Sequence, residues 1–245
     1  MLFFNKPKKS LADLIPDGYV DIHSHLLPGI DDGSKNIDDT LSLVTTLKSY
    51  GFSQFIATPH ILPGVWNNTN KGIIETEQAT IPHLNKNGIE SPFKAAAEHL
   101  MDDTFVTLFK SEPLLTLKDN YVLVEMSYIN PPINLYDILF ELQVAGYKPV
   151  LAHPERYLFY HHKFDEYNKL KRAGCLFQIN LLSVTGYYGI SVLKAAERLL
   201  NENMIDYAGS DVHHERHTQS FKNKVLLKKT DTLKAALKNN AFFKI

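Results

Sequence analysis

An α/β fold of alternating strands and helices, in its simplest closed form a (β/α)7 barrel, is what this 245-residue sequence predicts. Seven short apolar runs rich in Val, Ile, Phe and Tyr recur along the chain, and longer segments with apolar spacings of three and four separate them. That alternation is the signature of βα units. The length and the 44% hydrophobic content allow one sizeable core, and barrels of this length are commonly one domain. An open doubly wound sheet shows the same alternation, so the pattern alone does not close the barrel.

In chain order the strand candidates are YVDIHSHL, FSQFIATPH, PFKAAAEHL, YVLVEMS, KPVLAHP, CLFQINLLS and IDYAGSDVH. Between the first two, Ile37, Leu41, Val44 and Leu47 share one helical face. Asp38 and Asp39 suit its positive N-terminal end, and Gly51 stops it. PINLYDILFELQVAG, FDEYNKLKRAG and ISVLKAAERLLNEN each carry helical spacing and each precede a strand. Residues 1–18 form an N-terminal arm in which LADLIPDG fits one helical turn, and residues 19–245 read as a single barrel domain without repeat or linker.

Composition excludes several classes. A net charge of −1 without a long basic stripe disfavours nucleic-acid binding. The one cysteine, Cys175, permits no intramolecular disulfide and fits a reducing compartment; its apolar surroundings suggest a buried, inert thiol. No apolar stretch has the length of a signal h-region or a spanning helix, so a cytoplasmic protein without a transmembrane segment is expected. The oligomeric state is not legible.

The eleven histidines are the most informative feature. Four strand candidates end in histidine: His23 and His25 in the first, His60 in ATPH, His153 in LAHP and His213 in SDVH. Glu98 in AAAEH and Asp211, two residues before His213, fall at equivalent ends. Parallel barrel strands bring all their C-terminal ends to one face, where active sites assemble. Strand side chains alternate, so 23 and 25 point the same way, as do 211 and 213. One such histidine is readily explained by a local hydrogen bond, but burying this many charged groups without a partner costs several kcal/mol or more. A cation supplies the partner. Imidazole and carboxylate without thiolate suit Mn, Fe or Zn. With Asp32 there are eight candidate ligands, enough for two or three ions, and multinuclear sites serve phosphoester hydrolysis. Arg156 in HPER and Arg216 after DVHHE are candidates for phosphate oxygens; a solvated surface position is the alternative for each, above all for Arg216.

In this order, DIHSHLLPGIDDGS, IATPH, AAEHLMD, LAHPERY and GSDVHH resemble the polymerase and histidinol phosphatase (PHP) superfamily, and within it the bacterial tyrosine-protein phosphatases of CpsB and YwqE type. The resemblance spans about residues 19 to 217. It implies a distorted (β/α)7 TIM-like barrel, the PHP fold. It also implies that His23, His25, Glu98 and Asp211 hold one ion, Glu98 and His153 a second, and Asp32, His60 and His213 a third. Manganese is the usual metal of this branch, and the implied substrate is phosphotyrosine on the tail of a tyrosine kinase of polysaccharide synthesis. Metal-activated hydroxide would attack phosphorus, with Arg156, Arg216 and Asp211 as catalytic residues. The family pattern prefers Asp32 to Asp31 as ligand, while its second arginine lies further past the DxH motif than Arg216.

Other residues stay open. Glu125 in LVEMS reaches the site or anchors a loop, and Asn180 has the same two readings. His99 faces away by alternation. His214 and His217 flank the DxH motif. Trp66, Tyr187 and Tyr188 form either an aromatic rim or ordinary packing. The competing functions are a small-molecule phosphatase, such as a histidinol-phosphate phosphatase, and a metal-containing binding module without turnover.

Overall fold

The computed structural model describes residues 9–245. Among them, nine parallel strand segments build a ring: β1 (Tyr19–Asp21), β2 (Phe52–Ala57), β3 (His60–Ile61), β4 (Phe93–Ala95), β5 (Glu98–Leu100), β6 (Tyr121–Glu125), β7 (Lys148–Ala152), β8 (Leu176–Asn180) and β9 (Tyr207–Gly209). Hydrogen bonding orders them β1-β2-β4 and β3-β5-β6-β7-β8-β9. The second expected run is split into β2 and β3 at Thr58 and Pro59, and the third into β4 and β5 at Ala96 and Ala97. Proline has no N–H for the ladder, so Pro59 breaks its strand. Ala96 N to Ala57 O (2.7 Å) and Glu98 N to Pro59 O (3.1 Å) carry the pairing across both breaks. The seven expected strands are therefore present, two of them kinked. A parallel bridge between Ser24 and Val212 joins the last strand to the first, with Asp211 N to His23 O at 2.8 Å and His25 N to Val212 O at 3.0 Å. This is the distorted seven-stranded barrel.

The helices among the described residues are α1 (Ile37–Ser49), α2 (Asn70–Lys86), α3 (Asp103–Ser111), α4 (Leu135–Val144), α5 (Asp165–Arg172), α6 (Ile190–Asn201), α7 (Glu215–Ser220) and α8 (Asp231–Asn239). Three begin at side-chain caps: Asn36 accepts from Asp39 N, Thr69 from Gly72 N and Asp102 from Phe105 N, satisfying amides that a helix start leaves free. The inward face of α1 is Thr40, Leu43, Val44 and Leu47. Thr40 joins it because its hydroxyl donates to Leu26 O at 2.9 Å. None of the helices is long and apolar enough to cross a membrane.

Inside the barrel, Val20, Ile22, Ile56, Ala96, Leu123, Val150 and Ala152 pack together below the strand ends, and Phe243 plugs them from the C-terminal segment. Asn240 seals the seam between β1 and β9. Its amide donates to Val20 O (2.9 Å) and Ala208 O (2.6 Å), and its carbonyl accepts from Ala208 N (3.1 Å). The arm between Lys9 and Gly18 lies against the same body: Leu11 is fully buried, Leu11 N and Ala12 N donate to Asn223 O and Phe221 O, and Ala12–Leu14 is a 3-10 turn where a helical turn was expected. The part of the arm before Lys9 lies outside the described residues.

Asn240→Ala would remove these amide contacts from the seam and leave Ala208 O with the Tyr19 hydroxyl, at a cost of about 1–3 kcal/mol. The expected result is a lower urea midpoint with an unchanged slope; an unchanged midpoint would contradict the sealing role.

Candidate metal centre

The sequence's strand-end histidines and carboxylates meet in one cluster at the C-terminal mouth of the barrel. His23 Nε2 lies 3.2 Å from Glu98 Oε2 and 3.3 Å from Asp211 Oδ1. His25 Nε2 lies 3.4 Å from each of the same two oxygens. On the far side of Glu98, Oε1 is 3.0 Å from His153 Nε2, while His60 Nδ1 is 3.3 Å from Oε2. Asp32, half-exposed on the loop after β1, has Oδ1 3.6 Å from His60 Nε2 and 3.5 Å from His213 Nε2. All eight candidate ligands are thus brought together. Their donor atoms fall into overlapping groups: His23, His25 and Asp211; His23, Glu98 and His153; and His25, Asp32, His60 and His213. A fourth group, His60 with Glu98 and Glu125, adds a ninth residue. Glu125 Oε1 stands 2.9 Å from His60 Nδ1.

Local backbone geometry aims these side chains. His153 and Asp211 adopt φ values of 37° and 50°, a left-handed conformation that costs a non-glycine residue energy and turns its side chain back from the strand end. Gly33 has no room for a side chain: a Cβ there would stand 2.1 Å from His25 O. Imidazole tautomers follow from neighbours. His23 Nδ1–H donates to Gln178 Oε1 at 2.7 Å, His25 Nδ1–H to Asp31 Oδ2 at 2.7 Å, and His213 Nδ1–H to the Asp211 carbonyl at 2.9 Å. Each arrangement leaves the Nε2 lone pair facing the cluster, the orientation that metal-ligating histidines take from outer partners. Asp31 is therefore the orienting residue and Asp32 the one facing the cluster.

Electrostatics among these side chains point the same way. Burial would lower the His23 pKa, but Glu98 and Asp211 outweigh it and push it up to about 10. Burial and the opposing pull of Asp31 leave His25 raised well above the usual imidazole range. Burial would raise Glu98 and Asp211, yet the surrounding imidazoles, His23 first, hold both well below the carboxylate range. The cluster thus favours positive charge at its centre. With nitrogen and oxygen donors, no thiolate and lone pairs already aimed inward, the residues fit bound divalent cations.

The cluster opens into a cavity of about 240 Å³ whose wall includes Tyr128, Arg156, Tyr188, His214 and His217. Arg156 Nη1 donates to Asp211 Oδ2 at 2.8 Å, and its guanidinium lies 4.9 Å from the Tyr128 ring centre and 4.2 Å from that of Tyr188. Asn180 Nδ2 donates to Asp211 Oδ2 at 2.7 Å, so its side chain serves the site. Arg216 departs from expectation. In the first turn of α7 it points outward, 5.9 Å above the Tyr187 ring, while His217 takes the inward position; Arg216 is not among the residues lining the cavity. The rim tyrosines are Tyr128 and Tyr188, with Tyr187 packed on Tyr188 and Trp66 outside the lining. His99 is buried on the other side, against Phe105.

Of the two readings open for Glu125, the structure takes the one that reaches the site, and Tyr128 is a wall residue to which the sequence did not point. Glu125 is the last residue of β6, in register with Leu100, two residues past Glu98 on the neighbouring strand. A carboxylate ending a run of four buried strand residues was the available signal.

Comparison with known proteins agrees with this geometry. The model of the family described as capsular polysaccharide synthesis, CpsB/CapC, matches residues 19–232. The chain is 29% identical to the tyrosine-protein phosphatase YwqE of Bacillus subtilis over 205 residues, covering 82% of this chain and 81% of the relative. It is 28% identical to the putative tyrosine-protein phosphatase CapC of Staphylococcus aureus, covering 79% and 76%. Among solved structures, one chain from the crystal structures of YwqE from B. subtilis and CpsB from Streptococcus pneumoniae, described as unique metal-dependent tyrosine phosphatases, superposes with a TM-score of 0.77 at 29% identity, covering 82% of this chain and 84% of that one. An amidohydrolase from Mycoplasma synoviae shares the fold, with a TM-score of 0.53 at 13% identity. Motifs, barrel and cluster together place this chain in the CpsB/CapC family of capsular polysaccharide synthesis proteins.

Proposed function

We propose that this protein is a cytoplasmic, metal-dependent protein-tyrosine phosphatase that hydrolyses phosphotyrosine on a tyrosine kinase of polysaccharide synthesis. The observation that carries the reading is the cluster of imidazoles and carboxylates opening into a cavity that also presents Arg156 between two tyrosine rings. His23, His25, Asp32, His60, Glu98, His153, Asp211 and His213, joined by Glu125, are the proposed ligands of two or three ions. Manganese is the proposed metal, with Fe and Zn as the other ions suited to this donor set. Bound there, the ions would supply Lewis acidity at phosphorus and a nucleophile from water at neutral pH.

The chain's own groups do the rest. Arg156 keeps its charge, because the ionised Asp211 carboxylate beside it outweighs the lowering effect of burial, and its planar fork suits two phosphoryl oxygens. Asp211 holds that fork through Nη1, and Asn180 holds Asp211 in turn. Tyr128 and Tyr188 offer ring faces at the mouth to a substrate phenyl ring. A phenolate leaves readily, its conjugate acid having a pKa of about 10, so little is demanded of a general acid.

The test is hydrolysis by the purified protein with added Mn²⁺ of a phosphotyrosine peptide, a phosphoserine peptide and histidinol phosphate, with His23→Ala as control. Metal-dependent hydrolysis selective for phosphotyrosine is expected and should vanish in the control. Preference for histidinol phosphate would move the protein to small-molecule metabolism, and a metal-loaded protein without turnover would make it a binding module.

The two arginines should separate cleanly. Arg156→Ala is expected to lower kcat by about 10²–10³, the usual cost of losing a preorganised donor at developing charge. Arg216→Ala should remain within about twofold of the native rate, as for a surface residue. Equal losses in the two variants would contradict the placement of Arg216.

A further inference from the structure

A second concavity of about 370 Å³ lies between the segment after β7 and helix α6, whose last turn carries Arg198. His161, His162, Phe164, Tyr167, Lys194 and Arg198 line it, and no carboxylate does. Its two walls are the continuations of the two segments that frame the catalytic arginine. One leads from Arg156 through the 3-10 turn Leu158–Tyr160 to His161. The other leads from Tyr188, 4.2 Å from the Arg156 guanidinium, into α6 at Ile190. His161 Nε2–H donates to the Glu155 carbonyl at 2.7 Å, and Tyr167 donates its hydroxyl to Pro154 O at 3.1 Å. Both tie the groove to the residues just before Arg156.

The cations of this groove have no acidic partner among the described residues, whereas nearby acids are engaged elsewhere. Glu166 binds Lys169 Nζ at 2.7 Å and the Tyr136 hydroxyl at 3.3 Å. Glu197 accepts from Lys228 N at 2.9 Å, Asp165 from Asn168 Nδ2 at 3.4 Å, and Glu155 is buried against Ser183 and Asn180. The Arg198 guanidinium lies flat enough on Phe164 to stand 3.6 Å from the ring centre, which preorganises its fork and leaves its N–H edge for an anion. Lys194 lies one helical turn before it, on the same face of α6. The aromatic floor and cationic wall together match a ring or aliphatic stem ending in negative charge.

We propose that this groove is a second substrate subsite, which holds an anionic side chain of the same polypeptide whose phosphotyrosine occupies the metal cavity. The subsite rests on the phosphatase reading for its substrate, and it makes the enzyme selective for phosphotyrosines set in acidic or multiply phosphorylated segments. Two sources of the anion share this chemistry: a glutamate, and a second phosphotyrosine whose ring would lie on Phe164.

The test uses fluorescein-labelled peptides in which the central phosphotyrosine is replaced by its non-hydrolysable difluoromethylphosphonate analogue, with glutamines, with glutamates or with one further phosphonate residue in the flanks. Affinity for the Mn²⁺-loaded full chain is read by fluorescence anisotropy, and turnover of p-nitrophenyl phosphate is measured separately. Native protein should bind both anionic peptides more tightly than the glutamine peptide. The double variant Lys194→Glu, Arg198→Glu should lose about tenfold on the anionic peptides, with the glutamine peptide and p-nitrophenyl phosphate unchanged. Lys194→Glu alone, which spares the Phe164 contact, should show part of the loss, and Arg198→Lys should retain most of the preference. A gain for both anionic peptides assigns a general anion subsite, and a gain for the phosphonate peptide alone assigns one for phosphotyrosine. Equal binding of all peptides by the native protein, or equal weakening of all by the double variant, would overturn the proposal. A preserved anionic preference without p-nitrophenyl phosphate turnover would support the groove and overturn the phosphatase reading.

Discussion

Glu98 and Asp211 sit at the mouth of the barrel with essentially no exposure to water, and their negative charge must be met where it lies. An isolated buried carboxylate costs so much that it would ordinarily take up a proton instead. Here the imidazoles of His23, His25, His60 and His153 crowd around Glu98 and Asp211 at 3.0–3.4 Å and hold both acids ionised. Without a cation, those contacts favour protonation of His23, His25 and His60, which are packed side by side. With a cation, the same atoms become neutral nitrogen and anionic oxygen donors, and the conflict is relieved.

Much of the surrounding structure serves that balance. Gln178, Asp31 and the Asp211 carbonyl each take an Nδ1–H, so three histidines turn Nε2 inward. The left-handed backbone at His153 and Asp211 is strain that the two strand ends hold in place. Gly33 is required by the approach of the loop to His25, and Asn240 with Phe243 closes the opposite end of the barrel beneath the site. Stability below and charge above are separated along the barrel axis, as parallel barrels generally arrange them.

The positions of the eight proposed ligands were legible because strand alternation and strand ends are local properties, and histidine at such positions is uncommon in a core. What escaped depended on the third dimension. Glu125 was visible as a carboxylate at a strand end, but its reach to His60 follows from the register of β6 with β5. Arg216 and His217 are adjacent in sequence, and only the orientation of α7 decides which faces the cavity. Tyr128 sits in a loop whose path no periodicity encodes. The breaks at Pro59 and at Ala96 were equally hidden, since a proline marks an interruption without saying that pairing resumes two residues later.

The central claim about this molecule is that its buried cluster is built around divalent cations. The most direct measurement is the metal content of the purified full chain by mass spectrometry, combined with its melting temperature after chelation and during Mn²⁺ readdition. Two or three equivalents of metal per chain, a fall in Tm on chelation and a saturable recovery are expected, because an ion that binds only the folded state stabilises it by mass action. A chain that holds no metal and melts at the same temperature with and without Mn²⁺ would contradict that claim.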